Sequence, residues 1–120
     1  MNAISDEMVR VYKEQFGRGP TRTRTTWAGP DMLLVTLEGT LTAVELNLQQ
    51  MGEHDRLRKL RLLFADTGVS AFCEPVERLT GRKVRAFVSG IDTRADVSSK
   101  LFVLHPVGYA GSSRSDLSSV

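Results

Sequence analysis

A single cysteine, Cys73, excludes an internal disulfide framework and any zinc site built from several thiolates. The two histidines, His54 and His105, have no second ligand at the i+3 or i+4 spacing of a helical metal motif, so no metal centre is expected. No uninterrupted apolar run approaches the roughly 18 residues of a membrane span. The N-terminal MNAISDEMVRVY sets an acid pair where a secretory leader needs basic residues. A reducing, cytoplasmic setting outside the bilayer is the expectation. Charge of one sign is also scarce: sixteen Lys and Arg against fourteen Asp and Glu leave a net charge of +2, a weak pull on anionic partners. What remains is ordinary for one globular domain of 120 residues, with 41% hydrophobic and 25% charged residues.

Hydrophobic spacing supplies the elements. Ile4, Met8, Val11, Tyr12 and Phe16 share one helical face, and Gly17, Gly19 and Pro20 end that helix. Thr21 to Trp27 alternates threonine with arginine, and Met32 to Glu38 alternates Leu33, Val35 and Leu37 against Met32, Leu34, Thr36 and Glu38. Joined through Ala28-Gly29-Pro30-Asp31, these two runs predict a hairpin. In Leu41-Thr42-Ala43-Val44-Glu45-Leu46, Thr42 and Glu45 have the spacing of a capping box, with Leu41 placed to staple onto Leu46. The helix starting there is expected to carry Val44, Leu48 and Met51 toward the core. From Glu53, Leu57, Leu60 and Phe64 make a second apolar face with Leu63 beside it, and Arg56, Arg58, Lys59 and Arg61 read as its solvated remainder.

Gly68 interrupts, and Val69, Phe72, Cys73, Val76 and Leu79 restore helical spacing until Thr80-Gly81. Pro75 inside a helix costs about 3 kcal/mol, so a kink or restart is predicted between Gly68 and Pro75. Lys83 to Ile91 and Ser99 to His105 read as a second hairpin. The Gly- and Ser-rich residues 107–120 have no apolar face and are expected to form a flexible tail. Residues 1–106 therefore predict a single α+β domain: a four-stranded, largely antiparallel sheet of two hairpins, covered by helices on one face, in the order α-ββ-αα(α)-ββ. Apolar residues on both sides of the second and fourth strands, Leu33 with Leu34 and Phe102 with Val103, favour a homodimer over a bare sheet.

No catalytic constellation and no cofactor motif stands out. Gly17-Arg18-Gly19-Pro20 invites a phosphate-loop reading, but it follows a helix and precedes a strand and matches neither glycine fingerprint, so it reads as a helix stop. Arg22 and Arg24 share one strand face, while Arg82, Lys83 and Arg85 open the third strand. If those edges approach, the five form a basic patch for an anion, a nucleic acid or an acidic partner; otherwise they are solvated cations paired across strands. Trp27 falls on the opposite side, so the aromatic interleaving of single-strand binders is missing. His54, flanked by Glu53 and Asp55, reads as exposed at a helix start, and Cys73 as a small core residue.

Four segments together, FGRGPTRTRTTWAGPDMLLVTLEGTLTAVE, MGEHDRLRKLRLLF, FCEPVERLTGRKVRAFVSGIDT and LFVLHP, resemble the small bacterial MpsC family, named for a sodium-translocating, membrane-potential-generating system. The combination of GRGP, EGTLT-x-x-E and TGRKV-x-AF carries the resemblance. It implies a nonenzymatic accessory or regulatory role beside a membrane system for ions or bicarbonate, with a membrane transport component as partner. No catalytic role comes with it for Gly17, Gly19, Pro20, Thr42, Glu45, Gly81, Arg82 or Lys83. Two alternatives stay open: a basic nucleic-acid-binding module on the five cations, and an enzyme or binder of a small anionic ligand, which needs a concave site where cations converge.

Overall fold

Two hairpins form where the sequence alternates, and helices form where it repeats at 3.6. The computed structural model, which describes residues 2–117, runs α1 (Asn2–Phe16), β1 (Arg22–Gly29), β2 (Met32–Glu38), α2 (Ala43–Gln50), α3 (His54–Thr67), α4 (Val69–Thr80), β3 (Val84–Asp92) and β4 (Val97–Leu104), then a short 3-10 turn at Arg114–Asp116. The order is α-ββ-ααα-ββ, an α+β domain. All strand pairs are antiparallel, and the sheet order is β1-β2-β4-β3, so the two hairpins join through their second strands.

Register fixes the faces. Leu33 lies opposite Trp27 and Phe102, and Phe102 opposite Phe87, which turns Leu33, Val35, Leu37, Phe102 and Leu104 under the helices. Against them α1 packs Ile4, Met8, Val11 and Tyr12, and α4 packs Phe72, Cys73 and Val76. Fully burying a side chain of this size contributes about 1.5–3 kcal/mol, so this single layer dominates stability. A line of rings runs through it, with centroids 5.7 Å apart for Tyr12 and Phe72, 5.9 Å for Phe72 and Phe87, and 5.1 Å for Phe87 and Phe102. Among the described residues no helix covers the opposite sheet face. Rows Leu34, Leu101, Val88 and Met32, Val103, Ala86 give it an apolar centre.

Thr42 caps α2 as its spacing predicts: its amide donates to Glu45 Oε1 at 2.9 Å, and its hydroxyl accepts from the Glu45 amide at 3.4 Å. The face of α2 differs from expectation. Val44 and Met51 are 69% and 71% exposed, and the buried residue is Glu45. Its carboxylate is held inward by the cap and by an arginine, which rotates the apolar neighbours outward. On α3, Leu57 and Ala65 are buried but so is Arg61, one of the four cations read as solvated; Leu63 is exposed. The break ahead of Pro75 falls at Gly68, which ends α3 and begins α4, and Pro75 itself lies within α4. Gly81 then closes α4 in the left-handed conformation, φ 69°, where a side chain is strained.

The tail does not run free along its whole length. Ser113 is buried and its hydroxyl donates to Glu77 Oε2 at 2.6 Å, while the same carboxylate oxygen accepts from the Val84 amide at 2.7 Å. A polar pin on α4, invisible to hydrophobic periodicity, thus ties the 3-10 turn to the fold. Residues 118–120 of the expected tail lie outside the described residues.

Candidate functional site

Strand β4 alternates Ser98, Lys100, Phe102 and Leu104 onto the helix-covered face, which puts a lysine into the core. Lys100 is 6% exposed. Its ammonium donates to Ser89 Oγ on the adjacent strand at 2.6 Å and lies 4.7 Å from the Phe72 ring centroid, with the Tyr12 and Phe87 centroids at 5.7 and 6.0 Å. Among the described residues no carboxylate forms a salt bridge with it. Burial, with the charge of Arg61 adding to it, pushes the Lys100 pKa down to about 8.

Arg61 reaches the same region from α3 and is buried with Glu45. Its Nε donates to Glu45 Oε2 at 2.6 Å, and its Nη2 donates to Glu45 Oε1 at 2.7 Å and to the Thr40 carbonyl at 2.8 Å. The guanidinium carbon lies 4.1 Å from the Phe16 ring centroid. Burial alone raises the Glu45 pKa, but hydrogen bonds from Arg61 and Thr42 outweigh it and hold the carboxyl below its usual range. Between α1, α3, α4 and the β3–β4 hairpin these groups enclose a partly open pocket with about 20 Å³ of free space. Tyr12, Phe16 and Phe72 form apolar walls, Ser89, Ser98, Arg61 and Lys100 supply polar groups, and Gln15 Oε1 is buried there without a partner. Burial also pushes the Tyr12 hydroxyl up to about 12, so it stays protonated near neutrality.

None of the five cations singled out from the sequence lines this pocket. They do not form one patch either. β1 and β3 are the two outer strands, and the row through Arg22 reads Glu38, Val97 and Asp92, the opposite end of β3 from Arg85. Arg22 pairs with Glu38 at 3.8 Å, and Arg24 and Arg85 are exposed. Lys83 precedes β3, where its carbonyl accepts from the His105 amide at 2.8 Å. His54 is half-buried rather than exposed, with Nδ1 2.8 Å from Thr93 Oγ1. Cys73 is buried and its thiol is pushed up to about 12, chiefly by burial, which keeps it a core residue without thiolate character. One signal for the pocket was present: Lys100 stands two residues before Phe102 in a period-two strand, so alternation turns it inward.

The profile of a family described as Na+-translocating membrane potential-generating system (MpsC) matches residues 1–106. The chain belongs to the MpsC family. Searches of curated proteins and of solved structures each returned no match.

The motifs of this MpsC domain tie two knots at opposite ends of the sheet. At one end Arg18, from GRGP, donates to the carbonyls of Leu41 and Gly39, both at 2.9 Å, while Arg61 holds the Thr40 carbonyl. Asp96, in the β3–β4 turn, accepts from the amides of Thr40 at 2.9 Å and Leu41 at 3.2 Å. Gly39 turns there with φ 67°, and a Cβ on it would run into the Thr21 side chain. At the other end Arg82, from TGRKV, donates Nε to the His105 carbonyl at 2.9 Å, Nη1 to the Pro30 carbonyl at 3.0 Å and Nη2 to Asp31 Oδ1 at 2.5 Å. Three segments distant in sequence meet on one guanidinium, a planar fork that an ammonium cannot copy. Arg82→Lys is therefore expected to lower stability by about 1–3 kcal/mol, measurable by urea denaturation; an unchanged midpoint would show that the clamp is idle.

Proposed function

We propose that this MpsC chain is a nonenzymatic accessory or regulatory module of a membrane-potential-generating system for ions or bicarbonate, working from the cytoplasmic side as a homodimer. The family match over residues 1–106 carries this reading. Among the described residues no helix is long and apolar enough to cross a membrane, so a helical ion path would belong to a partner subunit. The uncovered sheet face supports the dimer: Met32 and Val88 are exposed there, beside Leu34, Leu101 and Val103. A two-fold axis along the strands sets β1 of one copy over β3 of the other, and brings Arg22 toward Asp92 of the other copy, since both lie in one row of the sheet. Opposite charges then flank an apolar centre, as in aligned sheet packing.

Affinity purification of the tagged chain from native membranes, after mild crosslinking, is the test of the accessory role. The expected result is recovery of an integral membrane transport subunit; recovery of soluble proteins or nucleic acid alone contradicts it. For the dimer, Leu101→Lys puts a charge in the middle of the apolar rows without touching the core. Analytical ultracentrifugation should show a dimer for the wild type and a folded monomer for the variant. A monomeric wild type would remove the dimer from the proposal.

A further inference from the structure

We propose that the pocket between α1, α3, α4 and the β3–β4 hairpin binds one small monovalent inorganic anion, of the size of chloride or at most a planar oxyanion. Lys100 is its principal contact, with Arg61 beside it. This does not rest on the accessory role, because it follows from the side chains alone.

Charge comes first. Lys100, Arg61 and Glu45 are buried together, and two cations against one carboxylate leave a positive charge inside the fold. An isolated buried charge is costly unless it is paired, and the cost here falls on Lys100. Hydrogen-bonding capacity comes next. An ammonium has three donors, of which one goes to Ser89 Oγ, while the ring centroids of Phe72, Tyr12 and Phe87 lie 4.7, 5.7 and 6.0 Å from it. On Arg61, Nε and Nη2 are engaged with Glu45 and Thr40, while Nη1 makes none of the hydrogen bonds found among the described residues. Two ammonium N–H groups and Arg61 Nη1 therefore have no acceptor among the described residues.

An orphaned polar atom points to a polar occupant as well. Gln15 Oε1 is buried at the wall of the pocket with no partner. Rotation of that amide exchanges its oxygen for its NH₂, which then adds another donor toward an anion. Size limits the ligand. About 20 Å³ of free space is little more than a water occupies, so chloride fits within it, a planar oxyanion fits only by extending to the open rim, and phosphate esters and nucleotides are excluded without rearrangement. Access exists at the rim, where Leu62 and Gly90 line the pocket and are exposed. The charged and titratable groups around Lys100 are Tyr12 from α1 and Arg61 from α3, the latter with Glu45 of α2; Asp96 of the β3–β4 turn acts on Tyr12 by its charge, and α4 contributes Phe72.

The test uses the full chain in gluconate buffer at pH 7, with chloride, nitrate or bicarbonate replacing gluconate at constant ionic strength. Thermal unfolding should rise along a saturating one-site curve with at least one of the three. Sulfate, excluded from the surface and too large for the pocket, should give only a non-saturating rise. Broadening of the chloride-35 resonance reports binding of that ion directly and does not depend on stability. Lys100→Met keeps the volume and removes the charge, and it is expected to weaken the saturating response by about tenfold or more. Lys59→Met, on the exposed side of α3, should leave the response intact. Equal responses in wild type and Lys100→Met, or no saturating response to any of the three anions, would overturn the site and leave water as the occupant. Membrane pull-down results do not bear on this outcome, so either proposal can fail alone.

Discussion

Arg61→Met is expected to lower the unfolding free energy by about 3–5 kcal/mol, the usual cost of removing one partner from a buried ion pair. The variant leaves the Glu45 carboxylate, 3% exposed, with only the Thr42 cap. It also strips the donor from the Thr40 carbonyl in the loop that leads into α2. Glu45 gives the effect a pH signature. In the wild type its folded pKa lies below the unfolded value, so its contribution is present above the unfolded pKa and lost as pH falls through the folded one. Without Arg61 only the Thr42 hydrogen bonds still oppose burial, the largest influence on this carboxyl, so the folded pKa rises and the variant is least penalised in acid. The gap between the two proteins should be widest near neutrality and narrow below pH 5, as read by urea titrations. Adding Glu45→Gln to Arg61→Met should recover part of the loss, because no unpaired charge then remains. Additive effects of the two substitutions would mean that the pair does not act as a unit.

That pair also marks where sequence reading stopped. The strands and helices were legible because each has a local rule: period two in Met32 to Glu38, helical spacing in Ile4 to Phe16, a capping box at Thr42 and Glu45. The burial of Arg61 has no local rule. Its partner sits in another helix, and RLRKLRLL looks like a basic solvated surface until the fold supplies Glu45. Val44 and Met51 were assigned inward for the same reason, since apolar periodicity carries no knowledge of a carboxylate that turns the helix the other way. Strand order was equally hidden. Both hairpins follow from their turns, but only the β2–β4 pairing decides that β1 and β3 are opposite edges, and this separates Arg22 and Arg24 from Arg85. Lys100 was the readable exception: alternation placed it on the side of Phe102 and Leu104, and its charge was the cue that something inside the fold must answer it.

Lys100→Met should stabilise the protein by about 2–3 kcal/mol at pH 7, and the gain should vanish as pH rises from about 8 to 10.5. A folded pKa of about 8 against an ordinary 10.5 corresponds to about 3 kcal/mol, offset in part by the lost bond to Ser89. The sign follows from proton counts. Below pH 8 both states are protonated and the full cost of the buried charge is present. Between about 8 and 10.5 the unfolded chain binds more protons than the native one, so wild-type stability gains on the variant with rising pH. Cys73 and Tyr12, both pushed up to about 12 in the native state, act in the opposite sense above their unfolded values of 9.0 and 10.0. Wild-type stability alone should therefore rise only from pH 8 to 9. Subtracting the Lys100→Met curve removes both groups and isolates the lysine. Chemical denaturation in gluconate at a series of pH values measures this difference, and a gap independent of pH would mean that burial does not penalise the ammonium. Repeating the series with a saturating anion couples the two results: an anion on Lys100 holds its proton, so the window in which the gap closes should move to higher pH.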